Sequence, residues 1–165
     1  MRVLSFTVAG EYYAVDVNPV QAVTRKMTIT PVLAAPAEIS GIANVKGRVV
    51  TVISLYQLLG YNNKTEDKRD ITSVNSIVFK ADSGSGEHFM ALTIDKPGVL
   101  IDIDEKDIKT ISPSAKQEES FCVSKIAEVE NTLYRIIDIE AIAKQYETDE
   151  ENDADEGVQS EPDTT

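Results

Sequence analysis

Residues 39–55 read Ile39-Ser40-Gly41-Ile42-Ala43-Asn44-Val45-Lys46-Gly47-Arg48-Val49-Val50-Thr51-Val52-Ile53-Ser54-Leu55. Runs rich in β-branched residues flank a short polar, glycine-containing break, the pattern of two strands joined by a tight turn. Gly41 to Val45 and Val49 to Ile53 are therefore expected to pair about Lys46-Gly47-Arg48. Ser54 is placed to cap a short helix, Leu55-Tyr56-Gln57-Leu58-Leu59, with Gly60 as its stop. At an offset of 84 residues the same sentence recurs, from Lys125-Ile126-Ala127-Glu128-Val129 through Leu133-Tyr134-Arg135-Ile136-Ile137-Asp138-Ile139. Ile42/Ile126, Ala43/Ala127, Val45/Val129 and Ile53/Ile137 are identical. Both copies read strand, tight turn, strand, capped helix.

Outward from this pair, the rest of the chain supplies matching parts. Leu4, Phe6 and Val8 alternate with polar residues, and Tyr13, Val15 and Val17 do so after Ala9-Gly10-Glu11, which predicts an opening hairpin. Asn18-Pro19 reads as an N-cap and first-turn proline for a short helix from Val20 to about Thr24. Pro31-Val32-Leu33-Ala34-Ala35-Pro36 reads as a crossing loop, and residues 61–73 as a polar loop. Ser76–Lys80 and Glu87–Ile94 form a hairpin across Asp82-Ser83-Gly84-Ser85-Gly86. Val99–Ile101 and Ile108–Ile111 are shorter strands. Val123–Val129 and Leu133–Asp138 pair across Glu130-Asn131, and a last helix runs from Ile139 to about Tyr146. Two copies of hairpin, connection, hairpin and helix predict an all-β protein of two small barrels, since closure removes edge strands.

The chain has 165 residues, one domain by length, and a formal net charge of -12. Residues 147–165 hold nine of the 28 acids and no Lys or Arg, which leaves 19 acids against 16 bases in residues 1–146, a net of -3. The division is thus a near-neutral folded body over 1–146 and an acidic tail over 147–165. Such a tail cannot bury enough apolar area to offset its ordering entropy, so it reads as disordered and solubilising. No basic stripe suits nucleic acid. No apolar run reaches the roughly 18 residues of a membrane span, and the strand-like opening Met1–Phe6 lacks a signal-peptide core. One cysteine, Cys122, and one histidine, His88, exclude an internal disulfide and multi-histidine or thiolate metal centres, and point to a reducing cytosol.

Catalytic motifs are missing. His88 and Cys122 have no third orienting group in the sequence, and read as a surface histidine and a buried thiol. Asp102, Asp104, Glu105 and Asp107 lack the glycine and closing glutamate of a calcium loop. Gly84-Ser85-Gly86 lacks the helix and lysine of a phosphate loop. Ten aromatics are too few and too scattered for a stacking platform. The expectation is a non-enzyme without metal or cofactor.

The segment 39–55 closely resembles the signature of the CheW family of chemotaxis coupling proteins. That signature reads isoleucine, any residue, glycine, apolar, any, asparagine, leucine, arginine, glycine, and continues into a strand ending in proline, valine, isoleucine, aspartate, leucine. Phe6 to Val17, Val20-Gln21-Ala22-Val23 with Ile29-Thr30-Pro31, and Tyr134 to Ile139 also look like family elements. The resemblance covers about residues 1–146. Here Lys46 stands for the arginine, Thr51 for the proline, Ser54 for the aspartate, and Ala22 for an acidic residue common after Val20-Gln21. Lysine keeps the charge but lacks the planar fork for bidentate contacts; Arg48 is placed two residues on.

The resemblance implies two interlocked five-stranded β-barrels around a shared core. It also implies a cytoplasmic adaptor linking the cytoplasmic tip of chemoreceptors to the regulatory domain of the CheA histidine kinase, with no catalytic residue, no cofactor and no direct membrane insertion. Candidate contact residues are Val20, Ala22, Gly41, Ile42, Asn44, Val45, Lys46, Gly47 and Arg48. Val20, Ile42 and Val45 are expected to line a groove with Lys46 and Arg48 at its rim. The departures suit a coupling protein of a non-flagellar chemosensory pathway. An unrelated peptide-binding β-barrel and a pocketed small-molecule barrel are the other classes left open.

Overall fold

The computed structural model describes residues 1–61, 74–83, 86–111 and 121–146. β1 (Arg2–Val8) and β2 (Glu11–Asp16) form the opening hairpin, and β3 (Val20–Met27) follows. β4 (Ile39–Val45), β5 (Arg48–Ser54) and the one-turn helix α1 (Leu55–Leu58) realise the stretch that was read first. β6 (Val74–Ser83) and β7 (Gly86–Ile94) are the next hairpin. β8 (Lys96–Asp102), a 3-10 turn at Glu105–Asp107 and β9 (Ile108–Thr110) lead on to β10 (Val123–Val129) and β11 (Thr132–Ile137). A closing helix, α2, runs over 139–146.

The strands make two sheets, ordered β8-β1-β2-β11-β10-β9 and β3-β6-β7-β5-β4. The chain starts in the six-stranded sheet, spends β3 to β7 in the five-stranded one, and returns with β8. Each sheet therefore borrows an edge strand that follows the other sheet's hairpin: β3 leaves β2 to pair with β6, and β8 leaves β7 to pair with β1. This exchange interlocks the halves. It also confirms the repeat as topology. β4-β5 joins β7 through a parallel β5·β7 pairing, and β10-β11 joins β2 through a parallel β11·β2 pairing. Both two-residue turns have positive φ throughout, Lys46 and Gly47 in one and Glu130 and Asn131 in the other, as tight hairpins require. Ser54 Oγ accepts from the Gln57 N–H at 3.3 Å, and Asp138 Oδ1 accepts from the Ala141 N–H at 3.1 Å, so equivalent positions cap α1 and α2.

Alternation along the strands sorts side chains into three cores. Leu4, Phe6, Tyr13 and Val15 of one sheet meet Ile53, Ile77, Phe79, Met90 and Leu92 of the other, closed over by Ile139 and Ile142 of α2. The opposite face of the five-stranded sheet packs Met27, Ala43, Val50, Val52, Val78 and Ala91. The opposite face of the six-stranded sheet packs Val3, Ala14, Ile103, Ala127 and Ile136. Each of these smaller cores draws on its own sheet and adjoining segments alone, so each sheet must curl over itself. Among the described residues the ladders do not run continuously round either curl. The nearest approach to closure is Thr30, just past β3, bridging Ile42 on the opposite edge strand β4.

Three readings are corrected or extended. The segment from Val20 to Thr24 is not a helix; it opens β3, whose burial alternates with period two and whose partner β6 lies some fifty residues on. Local capping chemistry at Asn18-Pro19 lost to that distant ladder. The six-stranded sheet exceeds the expected five because β9 adds to β10. β8 begins at Lys96, earlier than expected, because a bulge absorbs Pro97-Gly98: Ser5 Oγ accepts from the Val99 N–H at 2.9 Å and donates to its carbonyl at 3.0 Å. A methyl at Gly98 would collide with that hydroxyl. The hairpin tip 84–85, most of the polar loop (62–73) and the tail 147–165 lie outside the described residues.

Gly41 is held at φ +148, and a Cβ there would run into the Thr30 carbonyl oxygen, whereas one at the turn residue Gly47 would meet nothing within 4 Å. Gly41→Ala must break the bridge that draws the sheet edges together as well as adopt a glycine-only conformation. It is expected to cost about 3 kcal/mol or more in urea denaturation, against about 1 kcal/mol for Gly47→Ala. Equal losses would show that φ alone, not the close approach, fixes glycine at 41.

Candidate functional site

Six of the nine candidate residues fall on the two edge strands of one sheet, and Lys46, Gly47 and Arg48 on the turn and strand that follow β4. On β4, alternation sends Gly41, Ala43 and Val45 inward and Ile42 and Asn44 outward. Gly41 is buried, and Val45 packs on the small core inside the curl. Ile42 lies opposite Thr51 and is 38% exposed; Asn44 lies opposite Val49, which is 67% exposed. On β3, at the other edge, Val20 packs on the shared core and Ala22 on the small core. Val45 and Ile42 therefore face opposite sides of the sheet rather than one groove. The Thr30 bridge brings Ile42 against the segment leaving β3, with reciprocal bonds of 2.8 and 2.9 Å.

Three members of the set shape the hairpin itself. Asn44 Oδ1 accepts from the Gly47 N–H at 3.0 Å, which fixes the turn. Lys46 sits at φ 52 and is exposed. Arg48 belongs to β5, opposite Val45, and its guanidinium lies over the Phe89 ring at 4.3 Å from the centroid. It lids the small core and is not a second free charge at the tip. Lys46 is the exposed cation of the two-residue turn itself, and Arg48, also exposed, follows it on β5.

Sequence reading missed the exposed aliphatics beside these residues. Val49, and Val23 on β3 at 40% exposure, share the outward face with Ile42. Their polar-to-apolar alternation looked like ordinary strand because both faces of a curled sheet are apolar. Leu33, in the proline-flanked loop, is 95% exposed.

The groups considered for chemistry are scattered. Cys122 is fully buried in the shared core, and His88 is half-buried on β7 opposite Ala81. Asp102 pairs with Arg2 at 2.9 Å, a hydrogen bond that holds its carboxyl below the ordinary aspartate value, and Asp104 lies 3.9 Å from Lys106. Among the described residues no group of three or more His, Cys, Asp or Glu is arranged to hold a metal ion. The Tyr13 and Tyr61 hydroxyls share a bond of 2.7 Å, and burial pushes ionisation of Tyr13 well above the usual tyrosine value.

The model of the CheW-like domain matches residues 2–147. The chain belongs to the CheW-like domain family. A chemotaxis protein CheW of Thermotoga maritima is 32% identical over 70 residues, covering 42% of this chain and only 46% of that protein. A chemotaxis protein CheW of Bacillus subtilis is 24% identical over 141 residues, covering 86% of this chain and 85% of that one. The crystal structure of the scaffolding protein TtCheW from Thermoanaerobacter tengcongensis matches with a TM-score of 0.70 at 24% identity, over 82% of this chain and 87% of that chain, a likeness of fold. Among the described residues of this CheW-like chain, no helix is long and apolar enough to cross a membrane.

Within the CheW-like hairpin the two cations have separable duties. Arg48→Ala should lower stability by about 0.5–1 kcal/mol through loss of the ring contact and its covering of the core. Lys46→Ala should stay within about 0.5 kcal/mol, as an exposed turn residue does. Paired thermal melts check this; an unchanged Arg48→Ala melt would mean the ring contact contributes nothing.

Proposed function

We propose that this chain is a chemotaxis adaptor that joins the cytoplasmic tip of a chemoreceptor to the regulatory domain of the CheA histidine kinase, by shape and without chemistry of its own. The family match across residues 2–147 carries this reading. The fold supports it, because two sheets sharing one core present two outward faces in fixed relation. A receptor helix would lay an apolar stripe on the outward aliphatics Ile42, Val49 and Val23, with Asn44 and Lys46 at the rim. Gly41, Gly47, Val20, Ala22, Val45 and Arg48 would act from beneath, setting the strand and turn that present this face. The second partner would meet the other sheet. On this reading the chain works on the cytoplasmic side without cofactor, nucleic acid or membrane insertion.

Co-sedimentation with receptor fragments, with and without kinase, followed by kinase autophosphorylation, tests the proposal. The chain should pellet with receptor and raise kinase recovery in the pellet. Lys46→Glu combined with Val49→Asp should cut receptor recovery about tenfold, while the melting temperature moves by no more than about 2 °C. Full recovery by that variant would remove the β4-β5 face from the interface, and failure of the parent chain to bridge the two partners would end the adaptor reading.

A further inference from the structure

Among the described residues six that are not glycine have positive φ, and four of them, Ala9, Lys46, Glu130 and Asn131, sit in two-residue hairpin turns that require it. The other two bracket one segment. Lys26, at φ 53, stands in the bulge near the end of β3, and Ala34, at φ 61, in the proline-flanked loop that follows. Glycine would hold either position without strain. The strap between them, from Met27 to Leu33, therefore begins and ends on strained backbone.

The hold on this strap is slight. Met27 and Ile29 are buried in the core inside the five-stranded curl, and the Ser76 hydroxyl donates to Met27 Sδ at 3.4 Å. Thr30 exchanges its two bonds with Ile42, an isolated bridge from which no ladder runs on. Pro31 has no N–H to extend it, and the exposed Val32 and Leu33 belong to none of the three cores. Past Ala34 the chain is anchored again, where the Ile39 N–H donates to the Pro36 carbonyl and the Ser54 N–H to the Glu38 carbonyl. The strap spans the seam between the sheet's two edge strands, with Val23 on one side of it and Ile42 on the other.

We propose that this strap opens by itself, hinged at Lys26 and Ala34, while both sheets stay folded, and that an occupant lying across Val23 and Ile42 holds it shut. Opening breaks one bridge, exposes two side chains and relieves two strained hinges, whereas parting the sheets exposes the whole shared layer. An occupant that touches both edge strands makes its full contact only with the closed form, so its binding lowers the open population. The second half of the proposal rests on the adaptor reading of that face; the first half does not.

Residue-resolved hydrogen exchange on the full chain tests both halves. In the free chain the Thr30 and Ile42 amides, corrected for intrinsic rate, should exchange at least about a hundredfold faster than those of β6 and β7, with a weaker denaturant dependence. Lys26→Gly and Ala34→Gly should each slow these two amides about threefold to tenfold. Chemoreceptor tip fragment at about a hundred times its dissociation constant should slow them about a hundredfold. Thr30 and Ile42 exchanging as slowly as β6 and β7 would overturn independent opening, and unchanged exchange in both glycine variants would overturn the strained hinges. Unchanged exchange in the receptor-bound chain would overturn closure by the occupant while leaving the adaptor reading intact. A chain that binds no receptor contradicts that reading and closure with it, and the free-chain rates then decide the opening alone.

Discussion

The apolar layer trapped between the two sheets is the constraint on which the rest of the molecule depends. Among the described residues it gathers 22 buried ones, against seven and five in the cores inside the individual curls. Each large side chain buried there contributes about 1.5–3 kcal/mol relative to exposure, so neither sheet could forgo the layer and keep a comparable core. The helices follow from it. α1 and α2 are too short to persist alone, yet Leu55, Tyr56, Leu58, Ile139, Ile142 and Tyr146 drive them onto the same layer.

Strand exchange makes that layer hard to open. Because β3 and β8 each cross to the sheet of the other hairpin, separating the sheets means breaking β3·β6 and β1·β8 ladders as well as exposing the core. Two faces joined in this way hold a fixed geometry, which an adaptor needs and an active site on a mobile loop does not. The outward aliphatics Ile42, Val49 and Val23 fit that picture: they are exposed on strands whose opposite faces are pinned in a core.

How much of this was legible in the sequence depended on how local the interaction is. The β4-β5-α1 and β10-β11-α2 units could be read because a two-residue turn and a side-chain cap lie within a few residues of each other, and the β1-β2 and β6-β7 hairpins because alternation needs no distant partner. β3 could not, since Asn18-Pro19 imitates a helix start while the deciding ladder is with β6. β8 was read short because Pro97 and Gly98 look like breakers until the Ser5 hydroxyl is found bridging the bulge. At the candidate site, Gly41 and Asn44 were picked out by their motif, but their work, a close approach to Thr30 and a bond to Gly47, needed coordinates. Arg48 looked like a free charge because nothing local announces Phe89 as its seat.

Native-state hydrogen exchange across a urea series tests most directly whether the two sheets form one body. Amides of β1, β2 and β11 and those of β5, β6 and β7 should converge on a single opening free energy with a single denaturant dependence. If the amides of one sheet exchanged through a separate, lower-energy opening while the other stayed protected, the shared layer would not be what holds the fold together.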